Sequence, residues 1–249
     1  MKRSFSDYTR LMKLVSINIE RDKHWPKVEK FLKKEAPEVV CLQEVHELSL
    51  RYFAKKLEMN YVFGQMGQLA GKKSGLGILC LLPLNDIRRL YYHHDKEVAS
   101  RYILKTEKAP SFPRLVLAAR IKSRNAHYLV ATTHFTWSAL GKVTKTQRKD
   151  IENFLKVLSS MNEFVLCGDF NAPRGGEIFK KIAAQYKDNI PKKYRTSIDA
   201  NFHRAAERVR AGNLMVDGLF TTSQYECQNV RLVDGVSDHM AIVAEVVKR

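Results

Sequence analysis

Strand-sized apolar runs, most of them stopped by a polar cluster, recur along the whole chain. Ser16-Ile17-Asn18-Ile19-Glu20 closes the first and Leu42-Gln43-Glu44-Val45 the second. Thr132-Thr133-His134-Phe135 closes a middle run, and Leu166-Cys167-Gly168-Asp169-Phe170-Asn171 another. Asp217 lies inside the late run Val216-Asp217-Gly218-Leu219-Phe220, and Ser237-Asp238-His239 precedes the last. A sheet whose strands end this way gathers its polar side chains in loops at one edge, where a rigid scaffold builds sites.

Between these runs the hydrophobic period switches. Residues 13–18, 39–45, 61–65, 75–82, 87–92, 115–121, 128–133, 164–168, 216–221, 229–233 and 241–247 read as strands. Trp25, Val28, Phe31 and Leu32 recur at helical spacing, as do Ile151, Phe154, Leu155 and Leu158 within 145–158. Helices are also expected over 48–57 and 178–186. Early βαβ giving way to β-rich segments predicts an α/β fold: two packed sheets with helices outside, a layered sandwich. With 249 residues, 45% of them hydrophobic, and with no repeat or linker, one domain is expected over 11–249, preceded by a polar extension at 1–10. The polar start lacks the apolar region of a signal peptide, and the longest apolar run, 76–84, is strand-sized. A cytoplasmic protein is therefore expected. None of Cys41, Cys80, Cys167 and Cys227 forms a CxxC pair, and the first three sit in apolar runs, so buried free thiols are expected.

The formal net charge is +17, from 43 Lys and Arg against 26 Asp and Glu. That balance points to a polyanionic partner, nucleic acid ahead of anionic lipid, though both satisfy the same arithmetic. Lys72-Lys73 form one basic group, and Lys142, Lys145, Arg148 and Lys149 a second. Lys192, Lys193 and Arg195 flank Tyr194, followed by Arg204, Arg208 and Arg210. Basic residues interleaved with aromatics suit contact with a phosphate backbone plus base stacking. No base-reading motif is present, so sequence specificity is not expected.

Each polar fragment alone has an ordinary reading: Gly-Asp-x-Asn as a turn, Ser-Asp-His as a loop or cap. Asp217, inside an apolar run, needs a partner wherever it is buried. Taken together and in this order, Asn18, Gln43-Glu44, Gly168-Asp169-Phe170-Asn171 and Ser237-Asp238-His239 resemble the endonuclease/exonuclease/phosphatase superfamily, which includes DNase I, over nearly the whole chain. The resemblance implies a DNase I-like four-layer sandwich, two mixed β-sheets flanked by helices, with a Mg²⁺ or Mn²⁺ requirement. It implies Glu44 as the leading metal ligand, with Asn18 in the same environment and Asp238 completing the shell. Glu20 stands where some relatives carry a second acidic ligand. By the same resemblance Asp217 orients His239, whose role as base or as stabilising cation stays open. Asp169 would position or deprotonate the attacking water, Asn171 would donate to a phosphate oxygen or orient its neighbour, and His134 would contact the phosphate or assist the leaving group.

The match also departs from the family. The stretch 74–79 lacks an Asn that many relatives carry there, and no Pro-x-Trp-x-Asp-Arg signature surrounds Asp217, which disfavours phosphoinositides. Arg174 either reaches a substrate phosphate or is an ordinary surface residue. Asp199 and His203 either line the cleft or belong to a structured loop. The expectation is a metal-dependent nuclease acting on DNA, or on RNA, with a tyrosyl-DNA phosphodiesterase as a variant. A phospholipid or sphingomyelin phosphodiesterase is the enzymatic alternative. A binding protein that has lost catalysis is the other, and the presence of Glu44, Asp169 and His239 speaks against it.

Overall fold

A computed structural model describes residues 11–104, 112–123, 126–203, 207, 212 and 214–249. The expected polar extension at 1–10 and the basic residues Arg204, Arg208 and Arg210 lie outside the described residues.

The chain opens with β1 (Leu11–Asn18), α1 (Trp25–Glu35), β2 (Val39–His46) and α2 (Glu47–Leu57). Then follow β3 (Asn60–Leu69), β4 (Lys72–Cys80), β5 (Leu84–His93), α3 (Lys96–Arg101) and β6 (Ile103–Leu104). Next come β7 (Arg114–Lys122), β8 (His127–His134), α4 (Lys145–Ser159), β9 (Val165–Asp169) and α5 (Glu177–Ala183). The chain closes with β10 (Lys187–Asp188), β11 (Asp217–Thr221), β12 (Tyr225–Val233) and β13 (Ala241–Lys248). Among the described residues these strands form a seven-stranded sheet, β12-β13-β1-β2-β4-β3-β6, and a six-stranded sheet, β10-β11-β9-β8-β7-β5.

The two sheets face each other across one apolar core. Leu14, Cys41 and Ile78 of the first meet Leu117, Val130 and Cys167 of the second in a single buried cluster. The outer face of the first sheet is covered by α1 and α2, where Val28, Leu32, Leu50 and Phe53 pack on Val15, Val40 and Leu79. The outer face of the second is covered by α4 and α5, where Ile151, Phe154, Leu158 and Ile178 pack on Val116, Ala131 and Leu166. Strands with apolar side chains on both faces follow from this burial on two sides. The layers are therefore helix, sheet, sheet, helix, the four-layer sandwich the sequence leads one to expect. As expected too, Cys41, Cys80 and Cys167 are buried free thiols.

Differences from the sequence reading sit in short or edge elements. The helix α3, capped by the Asp95 side chain on the Val98 N–H, and the two-residue strands β6 and β10 have too little periodicity to be seen in sequence. The hairpin of β3 and β4 runs further than expected because Ala70 and Gly71 both take positive φ and make a tight turn between them. No helix among the described residues is long and apolar enough to cross a membrane.

Topology places the site. β1 and β2 run parallel, with Asn18 opposite Gln43, and β8 and β9 run parallel, with His134 opposite Asp169. Four strands thus end together, two from each sheet. The antiparallel β11 brings Asp217 opposite Asp169 at the same edge. Gln43 links the sheets beneath this edge, donating from its side-chain amide to the hydroxyls of Thr132 at 2.9 Å and Ser16 at 3.2 Å.

Candidate active site

Backbone shape at this edge is unusual and local. Glu44 (φ 54°) and Asn171 (φ 49°) both adopt left-handed conformations, and Glu44 lies where the β2–β4 pairing slips between Leu42 and Val45. Strained non-glycine residues of this kind concentrate at functional sites. Gly168 takes φ 144°, and a Cβ there would lie 2.0 Å from the Thr133 carbonyl oxygen. Only glycine lets β9 approach β8 this closely just before Asp169 is presented.

Asp169 is the hub. Its Oδ1 accepts from the Asn171 backbone N–H at 2.8 Å, and its Oδ2 accepts from the Asn18 side-chain amide at 3.2 Å. The His134 Nε2 stands 3.5 Å from the same Oδ2, and the His239 Nε2 stands 3.8 Å from it. Burial pushes the Asp169 carboxyl up to about 7; the His239 charge opposes this, while Asp217 and Glu44 add to it. An acid held there is divided between its two protonation states near neutral pH, which is where a general base works best.

The two histidines are tuned in opposite directions. His239 Nδ1 bonds Asp217 Oδ2 at 2.8 Å, and both side chains are buried. Burial alone would lower the His239 pKa, but Asp217, Asp169 and Asp238 override it and hold the imidazole well above its ordinary range. His134 has its carboxylate neighbours further off, Asp169 at 3.5 Å and Glu44 at 3.9 Å. Burial first, then the positive fields of Arg114 and His239, hold it well below its ordinary value. The two imidazoles are thus biased oppositely, His239 toward its cation and His134 toward its neutral form.

The remaining acids lie around this hub. Glu44 Oε1 accepts from the Asn18 amide at 3.2 Å, so Asn18 bridges Glu44 and Asp169 through its nitrogen, while its oxygen takes the Glu20 N–H at 3.1 Å. The Glu44 side chain is 27% exposed, with Arg21 Nε 3.6 Å from its other oxygen. Desolvation raises its pKa, and Arg21 only partly offsets this. Glu20, His24 and Asp238 offer ligand atoms within 4.8 Å of one another, as do Asp169, Asp217 and His239. Glu20 is already engaged by Lys23 at 2.9 Å and His24 at 3.0 Å, and its pKa is lowered: burial would raise it, but those two partners prevail.

The structure brings together every residue that the sequence analysis singled out for the site: Asn18, Glu20, Glu44, His134, Asp169, Asn171, Asp217, Asp238 and His239. Asn171 turns its side-chain amide onto the Phe135 carbonyl at 3.0 Å, so it braces the loop after β8 as well as orienting Asp169. Arg174 requires a correction, being neither on a substrate phosphate nor an ordinary surface residue. Its guanidinium ion-pairs with Asp188 at 3.0 Å and donates to the carbonyls of Ile190, Pro191 and Tyr194, tying down the segment after β10. Asp199 is a loop anchor: its carboxylate accepts from the Asn201 and Gly235 N–H groups, and its own N–H donates to the Asp238 carbonyl. His203 closes the same turn through its N–H on the Asp199 carbonyl. The sequence analysis missed Arg21, His24, Ser197 and Arg114. Ser197 Oγ accepts from the N–H groups of Val216 and Asp217, fixing the acid that holds His239. Arg114, buried at the start of β7, donates to the His134 carbonyl at 3.1 Å. An arginine set directly before the apolar stretch 115–119 was the available signal for it.

The model of the Endonuclease/Exonuclease/phosphatase family matches residues 15–239. The chain belongs to this family. Its members are generally phosphoester hydrolases and usually use a divalent metal. No curated protein matches the chain by sequence. Among solved structures, an endonuclease/exonuclease/phosphatase from Bacteroides vulgatus superposes with a TM-score of 0.73 at 16% identity, over 97% of this chain and 100% of that one. D. rerio TDP2 complexed with single strand DNA product gives 0.69 at 14% identity, over 96% and 99%. The mannosyl-6-phosphatase Bt3783 of Bacteroides thetaiotaomicron gives 0.69 at 13%, over 95% and 99%. At these identities the likeness shows the shared fold of the family.

Proposed function

We propose that this protein is a divalent-metal-dependent phosphodiesterase that hydrolyses nucleic acid, DNA ahead of RNA, by attack of water. The observation that carries the reading is the convergence, at one sheet edge, of the Asp217–His239 pair on Asp169, with Glu44 alongside. The donor set fits a hard cation. It consists of carboxylate oxygens, and burial holds Glu44 and Asp169 above their ordinary pKa, which Arg21 and His239 only partly offset. Mg²⁺ needs only one or two carboxylates and keeps its waters, so Glu44 with Asp238 suffices, and Asn18 and Glu20 stand beside them. When bound, the metal supplies charge neutralisation on the phosphate and on the leaving oxygen.

The chain's own residues do the rest. Asp169, fixed by Asn171 and Asn18, aligns the attacking water and takes its proton. His239, kept cationic by Asp217, stabilises the negative charge that builds on the phosphate oxygens. His134, neutral and 3.5 Å from Asp169, presents a ring nitrogen to the same phosphate. The net charge of +17 favours encounter with a polyanion.

The test is hydrolysis of end-labelled single- and double-stranded DNA and RNA with Mg²⁺, with Mn²⁺ and with EDTA, beside a His239→Ala variant. Metal-dependent cleavage, lost in EDTA and reduced by about 10²-fold or more in the variant, is the expected result. Hydrolysis of small phosphoesters without cleavage of any polynucleotide would reject the nucleic-acid substrate while leaving the site's chemistry in place.

A further inference from the structure

Trp137 is 40% exposed although its neighbours Phe135, Thr136 and Ser138 are all buried. It lies three residues beyond His134, so its Cα is within about 11 Å of that residue's, at roughly 3.8 Å per step. The backbone around it is pinned from several sides. Phe135 donates to the Asp169 carbonyl and accepts from the Asn171 amide. The Thr136 hydroxyl bonds Asp150, and the Thr136 carbonyl accepts from Gln147 at 2.7 Å. The following turn, Ala139–Gly141, sits so close to Pro173 that a Cβ on Gly141 would lie 2.5 Å from its ring. An indole is therefore held toward solvent by a rigid frame that is built on the catalytic loops themselves.

The same segment divides the second basic group. Arg148 is spent on Glu177, with two contacts of 2.9 Å. Lys142, Lys145 and Lys149 are exposed and have no ion pair among the described residues. The first turn of α4 carries no acidic residue, and Lys145 opens it, against the helix dipole. An exposed aromatic followed within the same segment by exposed lysines without an ion pair among the described residues suits a single strand, with stacking for a base and cations for its phosphates. A membrane anchor needs a contiguous apolar face. Among the described side chains of this segment, Trp137 is the exposed large hydrophobic residue, and Val143 packs inward.

Resting on the nuclease reading above, we propose that Trp137 stacks on an unpaired base next to the scissile phosphate, and that Lys142 and Lys145 hold phosphates of the same strand. The test compares wild type, Trp137→Ala and Trp137→Phe on a single-stranded oligonucleotide and on a small chromogenic phosphodiester. Trp137→Ala raises KM for the oligonucleotide by about tenfold, the usual consequence of losing one base stack, and leaves the small diester unchanged. Trp137→Phe restores most of the affinity. In a Trp25→Phe background, where Trp137 is the remaining tryptophan, the oligonucleotide quenches its fluorescence in EDTA, without turnover. Lys142→Ala and Lys145→Ala each lower the salt slope of binding by about 0.7. An unchanged oligonucleotide KM in Trp137→Ala, or equal losses on both substrates, would overturn the proposal. So would a loss of binding to phosphatidylserine vesicles with the oligonucleotide KM unchanged, which would make this a membrane contact. If wild type cleaves the small diester and no oligonucleotide, the nuclease reading itself fails, an outcome distinct from the others.

Discussion

The acids at the two ends of the sandwich behave in opposite ways. Where β1 and β9 begin, each acid is answered by cations: Glu35 by Lys13 and Arg231, Glu163 by Lys248 and Arg120. Burial there would raise both pKa values, but the ion pairs prevail and hold them below the ordinary range. Where β1, β2, β8 and β9 end, Glu44 and Asp169 are held above it. The charged form of a carboxylate is favoured at one end and disfavoured at the other. Natural proteins tolerate an acid with a raised pKa where function requires it, and the unusual backbone of Glu44, Gly168 and Asn171 belongs to the same end.

The largest expected effect comes from Asp169→Asn, which removes the hub. Hydrolysis should fall by about 10²–10⁴, the contribution of a general base, with the secondary structure intact by circular dichroism. Metal-free protein carries a second signature. The Asp169 carboxyl rises from an ordinary 3.8 to about 7 in the fold. The folded state thus binds this proton more tightly than the unfolded state, and stability is lost as pH rises from near 4 to near 7. Asp169→Asn should therefore raise Tm at pH 8 and have little effect at pH 4. A fall in Tm at pH 8 would show that Asp169 belongs with the structural acids.

The smallest effect is expected at the other end. Glu163→Gln should leave hydrolysis unchanged and cost about 1 kcal/mol near neutral pH, as part-exposed ion pairs do. Here the folded pKa is lowered, so the stabilisation is present above the unfolded value of 4.5 and fades as pH falls through the folded one. The Tm difference between wild type and variant should shrink on acidification, the reverse of the Asp169 trend. Parallel pH trends in the two variants would erase the distinction between the two ends.

The two-sheet core and most of the strand order's raw material were legible because apolar runs of period two and faces of period 3.6 are long-range signals carried by many residues. The polar cluster was legible through short motifs such as Gly168-Asp169-Phe170-Asn171, in which Gly168 is required by a close backbone approach just before Asp169. Arg174 was misread because closeness in sequence to Asn171 says nothing of where a long side chain turns. It turns to the carbonyls after β10, which lack strand partners and need donors. Arg114 and Ser197 were missed because each acts through a backbone group: one bonds the His134 carbonyl, the other the Asp217 N–H. Arg21 was missed because its ion pair with Glu44 depends on the left-handed turn at Glu20 and Arg21, which nothing in those residue types announces.

If the acids at the strand ends, whose burial their neighbours only partly offset, serve to hold a cation, thermal unfolding with and without metal shows it most directly. Binding to the folded state alone stabilises it, by about 2.7 kcal/mol when the free metal is about 100 times Kd. The account predicts that saturating Mn²⁺ or Mg²⁺ at pH 8 raises the wild-type Tm by several degrees over EDTA, and that Glu44→Gln loses most of this gain. An equal gain in both proteins, or no gain in wild type, would contradict it.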